Sequence, residues 1–389
     1  MNITPTAIAG LGMTQLGKVY GRTPAEFAVE AVTRAAADAG LALADIDGLL
    51  VNPGVNNDTD LRLQSTLQLR DLRLLTTIQG FGSSAIQMVQ YASMAISAGM
   101  ANVVACVYAD APLKEGRGSG AAYAGGNRPL TGVEALPAAA GLKSAPARYA
   151  IAARRHMETY GTTSEQLGAV AVAARAWAAM NPLAQMREPI TIDDHQNSRM
   201  IADPLRLLDC CLVSNGAIAI IVTSAERAAD LAQPPVHIWG WGQAPPGYTS
   251  YRDSNFGLVS GAAQSGPAAL RMAGVTVDEI DIREIYDCFT YTTLLTLEDY
   301  GFCAKGEGGE FVASGALAPG GSHPTNTGGG ELSSYYMWGM TPLSEAVIQA
   351  RGQGGQRQVA KNDLIMVSGN GGVLDFHATL IVSPHAKTR

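Results

Sequence analysis

The chain has 389 residues, 47% of them apolar and 16% charged, with a formal net charge of −7. The apolar share is enough for a large core, arranged as two domains or one large double unit. The acidic balance excludes the basic footprint of a nucleic-acid binder, although an anionic ligand could still find a local basic pocket. With 44 glycines and only 6% aromatics, the composition fits a tightly turned α/β enzyme better than a disordered or fibrous chain. The five cysteines, Cys106, Cys210, Cys211, Cys288 and Cys303, are odd in number and lack zinc-knuckle spacing. They read as reduced thiols in a cytosolic protein. "MNITPTAIAG" lacks a basic segment followed by an apolar core, and no apolar run reaches the ~18 residues that span a bilayer. The expectation is a soluble, cytoplasmic protein.

In chain order, "TAIAGLG" reads as a buried strand. A helix follows from Pro24 to Ala39, with Thr23 as N-cap and Gly40 as stop. "IDGLLVN" is a second strand, Ser83–Gly99 an apolar helix, and "NVVACVYAD" a buried strand ending at Asp110. This alternation argues for a mostly parallel sheet. From about 111 to 209 the pattern changes. "GRGSGAAYAGG" reads as a mobile loop, and two helices follow near Ala145–Thr159 and Ser164–Met180. "PITIDDHQNSRMIADPLRLLDCC" reads as extended and punctuated by proline. The whole stretch is an excursion on top of the sheet. "CLVSNGAIAIIVTS" then reads as two short strands joined near Asn215-Gly216, a turn dipeptide.

A break falls at "RAADLAQPPV", Arg227 to Val236, and the order restarts. "HIWGWGQA" is a strand, "SGPAALRMAG" a helix, "EIDIREIYD" a strand and "FTYTTLLTLEDYG" a helix. A glycine-rich loop, "TNTGGGE", precedes a helix over Leu332–Arg351, and "DLIMVSGNGG" and "FHATLIVSP" close the chain as strands. In each half a Gly/Ser turn feeds a long helix that leads to a buried strand. We read this as a structural duplication. The two halves are residues 1–228, with the excursion at about 111–209, and residues 229–389, their central helices packed together between two sheets.

Three glycine-bearing turns, "QGFGSS", "NTGGGE" and "SGNGG", offer backbone donors to an anionic oxygen, or are simply tight turns. None matches a phosphate-binding loop or a dinucleotide fingerprint. "REIYDCFTY" puts Tyr286 and Asp287 at the carboxyl end of a strand, where ligands gather in α/β sheets. There Asp287 reads as an N-cap, and Tyr286 as core or site. Asn326, Tyr335 and Tyr336 surround the "NTGGGELSSYYMWGM" loop, where an aromatic stripe is ordinarily core. His323, in "SHPTN", reads as structural or solvated, and the vicinal Cys210-Cys211 as inert packing.

The duplicated layout, "DPLRLLDCCLVSNGA", "IYDCFTY", "NTGGGELSS" and the closing "SGNGG" resemble the thiolase superfamily over nearly the whole chain. The branch they resemble is that of the sterol-carrier-protein-type thiolases and their lipid-transfer homologues. The resemblance implies a five-layer αβαβα fold. It also implies a nucleophilic cysteine at the helix-opening turn, where this chain has Phe81. A catalytic histidine follows the asparagine of the family's glycine motif; counted from Asn326, that position holds Tyr336. His323-Pro324 is a decoy, because it precedes the asparagine. The His or Asn of a third family motif is Tyr286 here. Without a thiolate at Phe81 no covalent acyl-enzyme forms, and Cys288 matches a residue present in working thiolases.

The pattern is similar to that of the thiolase-like aldolase subunits of bacterial steroid side-chain degradation, which use two tyrosines. The similarity implies retro-aldol cleavage of a β-hydroxyacyl-CoA, with Tyr286 and Tyr336 as the catalytic pair. The products are a ring ketone and a short acyl-CoA such as propionyl-CoA. By analogy, backbone N–H groups near Phe81 and Gly371 form the oxyanion hole, with Asn326, Asp287 and His323 in support. A phenolate is a stronger base than imidazole, but lowering a phenol by about two units takes roughly 2.7 kcal/mol. Glycine-turn or helix N-terminal N–H groups are the expected source of part of that. The resemblance implies no cofactor on this chain. It also implies a homodimer and a partner made of an OB-fold and a zinc ribbon, which would carry any zinc, in an α2β2 assembly. Arg199 lies in the family-like excursion with no assigned role. Two other functions stay open: an acyltransferase using another thiol, and a non-catalytic acyl-CoA or lipid-binding scaffold.

Overall fold

The computed structural model describes residues 4–55, 59–123, 131–132, 135–246 and 255–387. Its strands are β1 (Thr6–Met13), β2 (Gly48–Asn52), β3 (Leu74–Thr77), β4 (Val103–Asp110), β5 (Met200–Ala202), β6 (Leu205–Arg206), β7 (Gly216–Ser224), β8 (Val236–Ala244), β9 (Ile282–Glu284), β10 (Ile365–Gly371) and β11 (Phe376–Ser383). Nine of them form one mixed sheet in the order β3-β2-β4-β7-β1-β8-β11-β10-β9. In the first half β2 runs parallel to β3 and β4, and β4, β7 and β1 alternate. In the second, β8, β11 and β10 alternate and β10 runs parallel to β9. The orientations mirror each other about a seam where only Ala7 pairs His237 and Ile8 pairs Val236. The two sheets expected from the sequence are therefore two halves of one continuous sheet.

Glycine spacing explains how the outer layers close. The helix Pro24–Asp38 carries the expected Thr23 cap, strengthened by a reciprocal bond to Glu26. Its buried face is mostly alanine, and a Cβ on Gly10 or Gly12 of β1 would collide with the carbonyls of Ala35 and Ala31. The second half repeats the device. Gly240 and Gly242 of β8 face the carbonyls of Ala269 and Ser265 in the helix Ala262–Ala273. The same Gly-x-Gly on equivalent strands lets both outer helices lie close to the sheet. Between the half-sheets, the helices Ser84–Ser97 and Met340–Ala350 each touch strands of both halves. The layering is helix, half-sheet, paired helices, half-sheet, helix. No helix among the described residues is long and apolar enough to cross a membrane.

Several local expectations are corrected. The stretch after Pro189 is not all extended: Thr191 and Asp194 form a capping box that starts a helix at Ile192–Asn197. β5 and β6 then form a hairpin. Asn215-Gly216 joins no strand pair. Its side chain is buried, accepting from the Leu113 N–H and donating to the carbonyls of Val19 and Leu113, and only Gly216–Ser224 is strand. The strand in "EIDIREIYD" is only Ile282–Glu284. The last central helix begins at Met340, because Tyr335 is extended and Trp338 adopts a positive φ of 51°. Of the glycine-rich segment expected to be a loop, residues 124–126 lie outside the described residues. The helix Ser164–Ala179 packs on the helix Thr290–Tyr300 and on the turn Gly330–Ser334, so the excursion roofs the second half.

Candidate active site

The three glycine-bearing turns approach one another, and glycine is what lets two of them meet. A Cβ on Gly82 would strike the Tyr286 ring and the Asn370 carbonyl. One on Gly339 or Gly369 would meet the Gly82 carbonyl, and one on Gly371 the Gly80 carbonyl. In the third turn a Cβ on Gly330 would strike the Asp287 carboxylate. Around this junction three non-glycine residues adopt a left-handed backbone: Phe81 at 52°, Asn326 at 52° and Trp338 at 51°. Each conformation costs on the order of 1–3 kcal/mol, and such strain clusters at functional sites.

Tyr286 leaves the end of β9, and its N–H donates to Ser368 Oγ at 3.0 Å. Tyr336 sits in the extended stretch before Met340, and its N–H donates to Ser214 Oγ at 2.9 Å. The two phenol oxygens are 3.1 Å apart. Tyr286 is 3% exposed, whereas Tyr336 is half-buried. Burial pushes both phenols well above the usual value near 10. The Tyr336 neighbour adds to the shift of Tyr286, and Cys211 and Glu331 add to that of Tyr336. This reverses the lowering expected from backbone donors. The N–H groups of Gly80 and Phe81 donate to Ser84 Oγ and Gln79 Oε1, and the two phenols bond each other.

Asn326 holds the strand end more than the Tyr336 loop. Its Oδ1 accepts from the Ile285 N–H at 2.7 Å, and its own N–H donates to the Arg283 carbonyl at 2.9 Å. Asp287 does not cap the helix that follows; Phe289 stands at that position. Instead the wholly buried Asp287 carboxylate accepts from the N–H groups of Glu331 and Leu332, so it ties the Tyr286 strand to the turn that leads to Tyr336. Burial pushes its carboxyl up to about 7, against the opposing pull of those two bonds. His323 is outside the constellation: its ring lies edge-on to Phe302 and Phe311, and its Nδ1 pairs with Ser322. Arg199 is exposed beside the β5–β6 hairpin, with its carbonyl bonded to the Leu207 N–H.

Phe81 and Gly371 come together, but the Phe81 N–H already donates to Gln79 Oε1 at 3.2 Å. The Phe81 ring is 38% exposed and tilts against Trp338 and Phe376, at centroid distances of 6.0 and 6.2 Å. Trp338 in turn stacks on Tyr108 at 4.7 Å. Burial pushes the thiols of Cys211 and Cys288 well above the ordinary range, and that of Cys210 to about 12. None is a ready nucleophile. Among the described residues no cluster of His, Cys, Asp and Glu could hold a metal ion. Sequence reasoning missed Ser214, Ser368 and Tyr149. The Tyr149 hydroxyl donates to the Gly372 carbonyl and accepts from Asn370 Nδ2. These are long-range contacts with no local pattern. It also passed over Glu331, although the letter follows the three glycines directly.

Residues 242–384 match the family described as thiolase C-terminal domain-like. A 17-hydroxy-3-oxo-4-pregnene-20-carboxyl-CoA lyase of Mycobacterium tuberculosis is 40% identical over 373 residues, covering 94% of this chain and 96% of the relative. A steroid side-chain-cleaving aldolase of Thermomonospora curvata is 38% identical over 386 residues, covering 95% and 97%. Among solved structures, one titled Ltp2-ChsH2(DUF35) aldolase superposes with a TM-score of 0.87 at 36% identity, covering 98% of each chain. With its doubled half-sheets, paired central helices and a phenylalanine at the nucleophile turn, the chain belongs to the thiolase superfamily, in the thiolase-like family that includes these steroid side-chain-cleaving aldolases.

Proposed function

We propose that this protein is a carbon–carbon lyase that cleaves a β-hydroxyacyl-CoA by a retro-aldol reaction. The proposed substrate is a steroid side-chain CoA thioester with a tertiary ring hydroxyl, and the products are a ring ketone and a short acyl-CoA such as propionyl-CoA. The observation that carries this reading is the 3.1 Å contact of a buried and a half-buried phenol beside a turn that offers Phe81 in place of a thiol.

Burial disfavours a free phenolate at either tyrosine. A relay through both phenols avoids one. The β-hydroxyl gives its proton to Tyr336, the more accessible partner, as Tyr336 passes its own proton to Tyr286 and Tyr286 protonates the α-carbon. The O–H electrons become the ring carbonyl as the carbon–carbon bond breaks toward the thioester. One proton leaves oxygen and one arrives at carbon, so both tyrosines end as they began. The step moves a proton and a carbon bond without redox change or group transfer to the enzyme, so it requires no cofactor on this chain.

The raised thiols of Cys211 and Cys288 count against an acyltransferase that recruits another cysteine. The similarity to the structure titled Ltp2-ChsH2(DUF35) aldolase supports a DUF35 partner for this chain. The proposed assembly is the one the family resemblance implies, a homodimer with an OB-fold and zinc-ribbon partner that would carry any zinc. The test is co-expression with the partner and assay of a β-hydroxyacyl-CoA panel for short acyl-CoA. Release without added free CoA is expected. Release that requires free CoA would indicate thiolytic transfer, and binding without release would indicate a scaffold; either overturns the lyase reading.

A further inference from the structure

Glu331 opens the turn after the three glycines, and its backbone is held from both sides. Its N–H donates to Asp287 Oδ1 at 2.7 Å, and its carbonyl accepts from the Leu212 N–H at 2.9 Å. Its side chain is wholly buried, yet neither carboxyl oxygen has a hydrogen-bond partner. Asp287 next to it receives two backbone donors; Glu331 receives none. A buried polar group left in this state costs roughly 1–3 kcal/mol and calls for a reason.

Burial, reinforced by the Asp287 charge, pushes the Glu331 carboxyl well above the usual carboxylate range and so favours the protonated form, which has an O–H to donate. The two backbone bonds of Glu331 fix the turn to both tyrosine supports: Asp287 follows Tyr286 directly, and Leu212 lies two residues before the Ser214 that accepts the Tyr336 N–H, while a charge on Glu331 adds to the raising of both phenols.

Retro-aldol cleavage places two demands on the protein. The hydroxyl proton must reach carbon, which the phenols can serve. The thioester oxygen must be held while it takes on enolate charge, and of the expected donors the Phe81 N–H is already bonded to Gln79. We propose that the Glu331 side chain donates a hydrogen bond to the thioester oxygen of the bound acyl-CoA and strengthens it as the enolate forms. The proposal rests on the lyase reading. A neutral carboxyl suits this role because a carboxylate would repel the developing charge, and a low-dielectric site strengthens the donor without reorganisation.

The test uses the full chain with its co-expressed partner and the variants Glu331→Gln and Glu331→Leu. Glutamine keeps a donor of the same length; leucine removes it and replaces an unpaired polar group by an apolar one, which leaves a fold neutral or more stable. The first readout is the infrared carbonyl stretch of an isotope-labelled acyl-CoA analogue with CH2 in place of sulfur and no β-hydroxyl, which binds but cannot fragment. The stretch is expected to fall in wild type, to fall in part with Glu331→Gln, and to stay near its solution value with Glu331→Leu. The second readout is turnover. Glu331→Leu should lower kcat by about 100-fold with little change in KM, and Glu331→Gln by about tenfold or less. An unchanged carbonyl shift in Glu331→Leu, or a kcat within about threefold of wild type, overturns the proposal. If the carbonyl shift depends on Glu331 but wild type cleaves nothing, the lyase reading fails and the contact stands. If wild type cleaves and the shift ignores Glu331, the contact fails and the lyase reading stands.

Discussion

The two halves of the molecule begin their central helices differently. In the first half the turn Gly80–Ser83 runs straight into the helix Ser84–Ser97, and its backbone is packed tightly against Gly369 and Gly371. In the second, the corresponding helix starts only at Met340, after the turn Gly330–Ser334 and an extended stretch that carries Tyr336. The first half keeps the geometry of a nucleophile turn without a nucleophile. The second gives up part of a helix and presents titratable groups: Tyr336, Glu331 and, from the strand end beside them, Tyr286 and Asp287. In a duplicated fold, chemistry can pass from one half to the other while the layers stay in place.

The largest effect should fall on the second half. Tyr286→Phe leaves the ring against Gly82 but removes one link of the relay, so kcat should drop by about 1000-fold with substrate binding retained. A double variant with Tyr336→Phe should be hardly worse than either single one, because the two act as a unit. Measured kcat and Kd for the set check this. The relay also sets a pH dependence. Since both phenols are raised, no increase of kcat with a midpoint near about 8 is expected; such an increase would mean a lowered phenolate base.

Smaller effects concern support. Asn326→Ala removes the acceptor for the Ile285 N–H and puts alanine at a positive φ, so it should cost about 1–3 kcal/mol in denaturant unfolding. Asp287 has its folded carboxyl raised to about 7, above the reference value 3.8. Between those values the folded state binds the extra proton, so the Asp287 contribution is fully present below about 4 and is lost as pH rises toward 7. Stability of Asp287→Asn should therefore fall less over that range than wild type, as melting temperatures across pH would show. Smallest of all, Phe81→Ala should change kcat by only a few-fold, since no proton passes through the ring. A loss as large as that of Tyr286→Phe would return the chemistry to the first half.

Much of this was legible in the sequence because the signals are local. The Thr23 cap and the β-strand runs are written in neighbouring residues, whereas the Gly-x-Gly shared by β1 and β8 gained its meaning only from the helices packed on it. The tyrosine pair was legible only through the family resemblance, since 50 residues separate its members and no spacing rule joins them. Asp287 was read as a cap for its own helix, but its acceptor capacity is taken by a turn 44 residues away. The start of the last helix was misplaced because apolar periodicity continues through Tyr335–Gly339 while the backbone leaves the helix at Tyr335 and Trp338. Direction of a pKa shift was the least legible, since it depends on burial that the sequence does not display.

Single-turnover cleavage by Tyr336→Phe, in the purified complex with saturating β-hydroxyacyl-CoA, tests the central claim most directly. The account predicts a rate lower by about 1000-fold, with the analogue still bound and no mass added to the protein at any time. Cleavage within about tenfold of wild type, or an acyl group trapped on a cysteine during turnover, would contradict it.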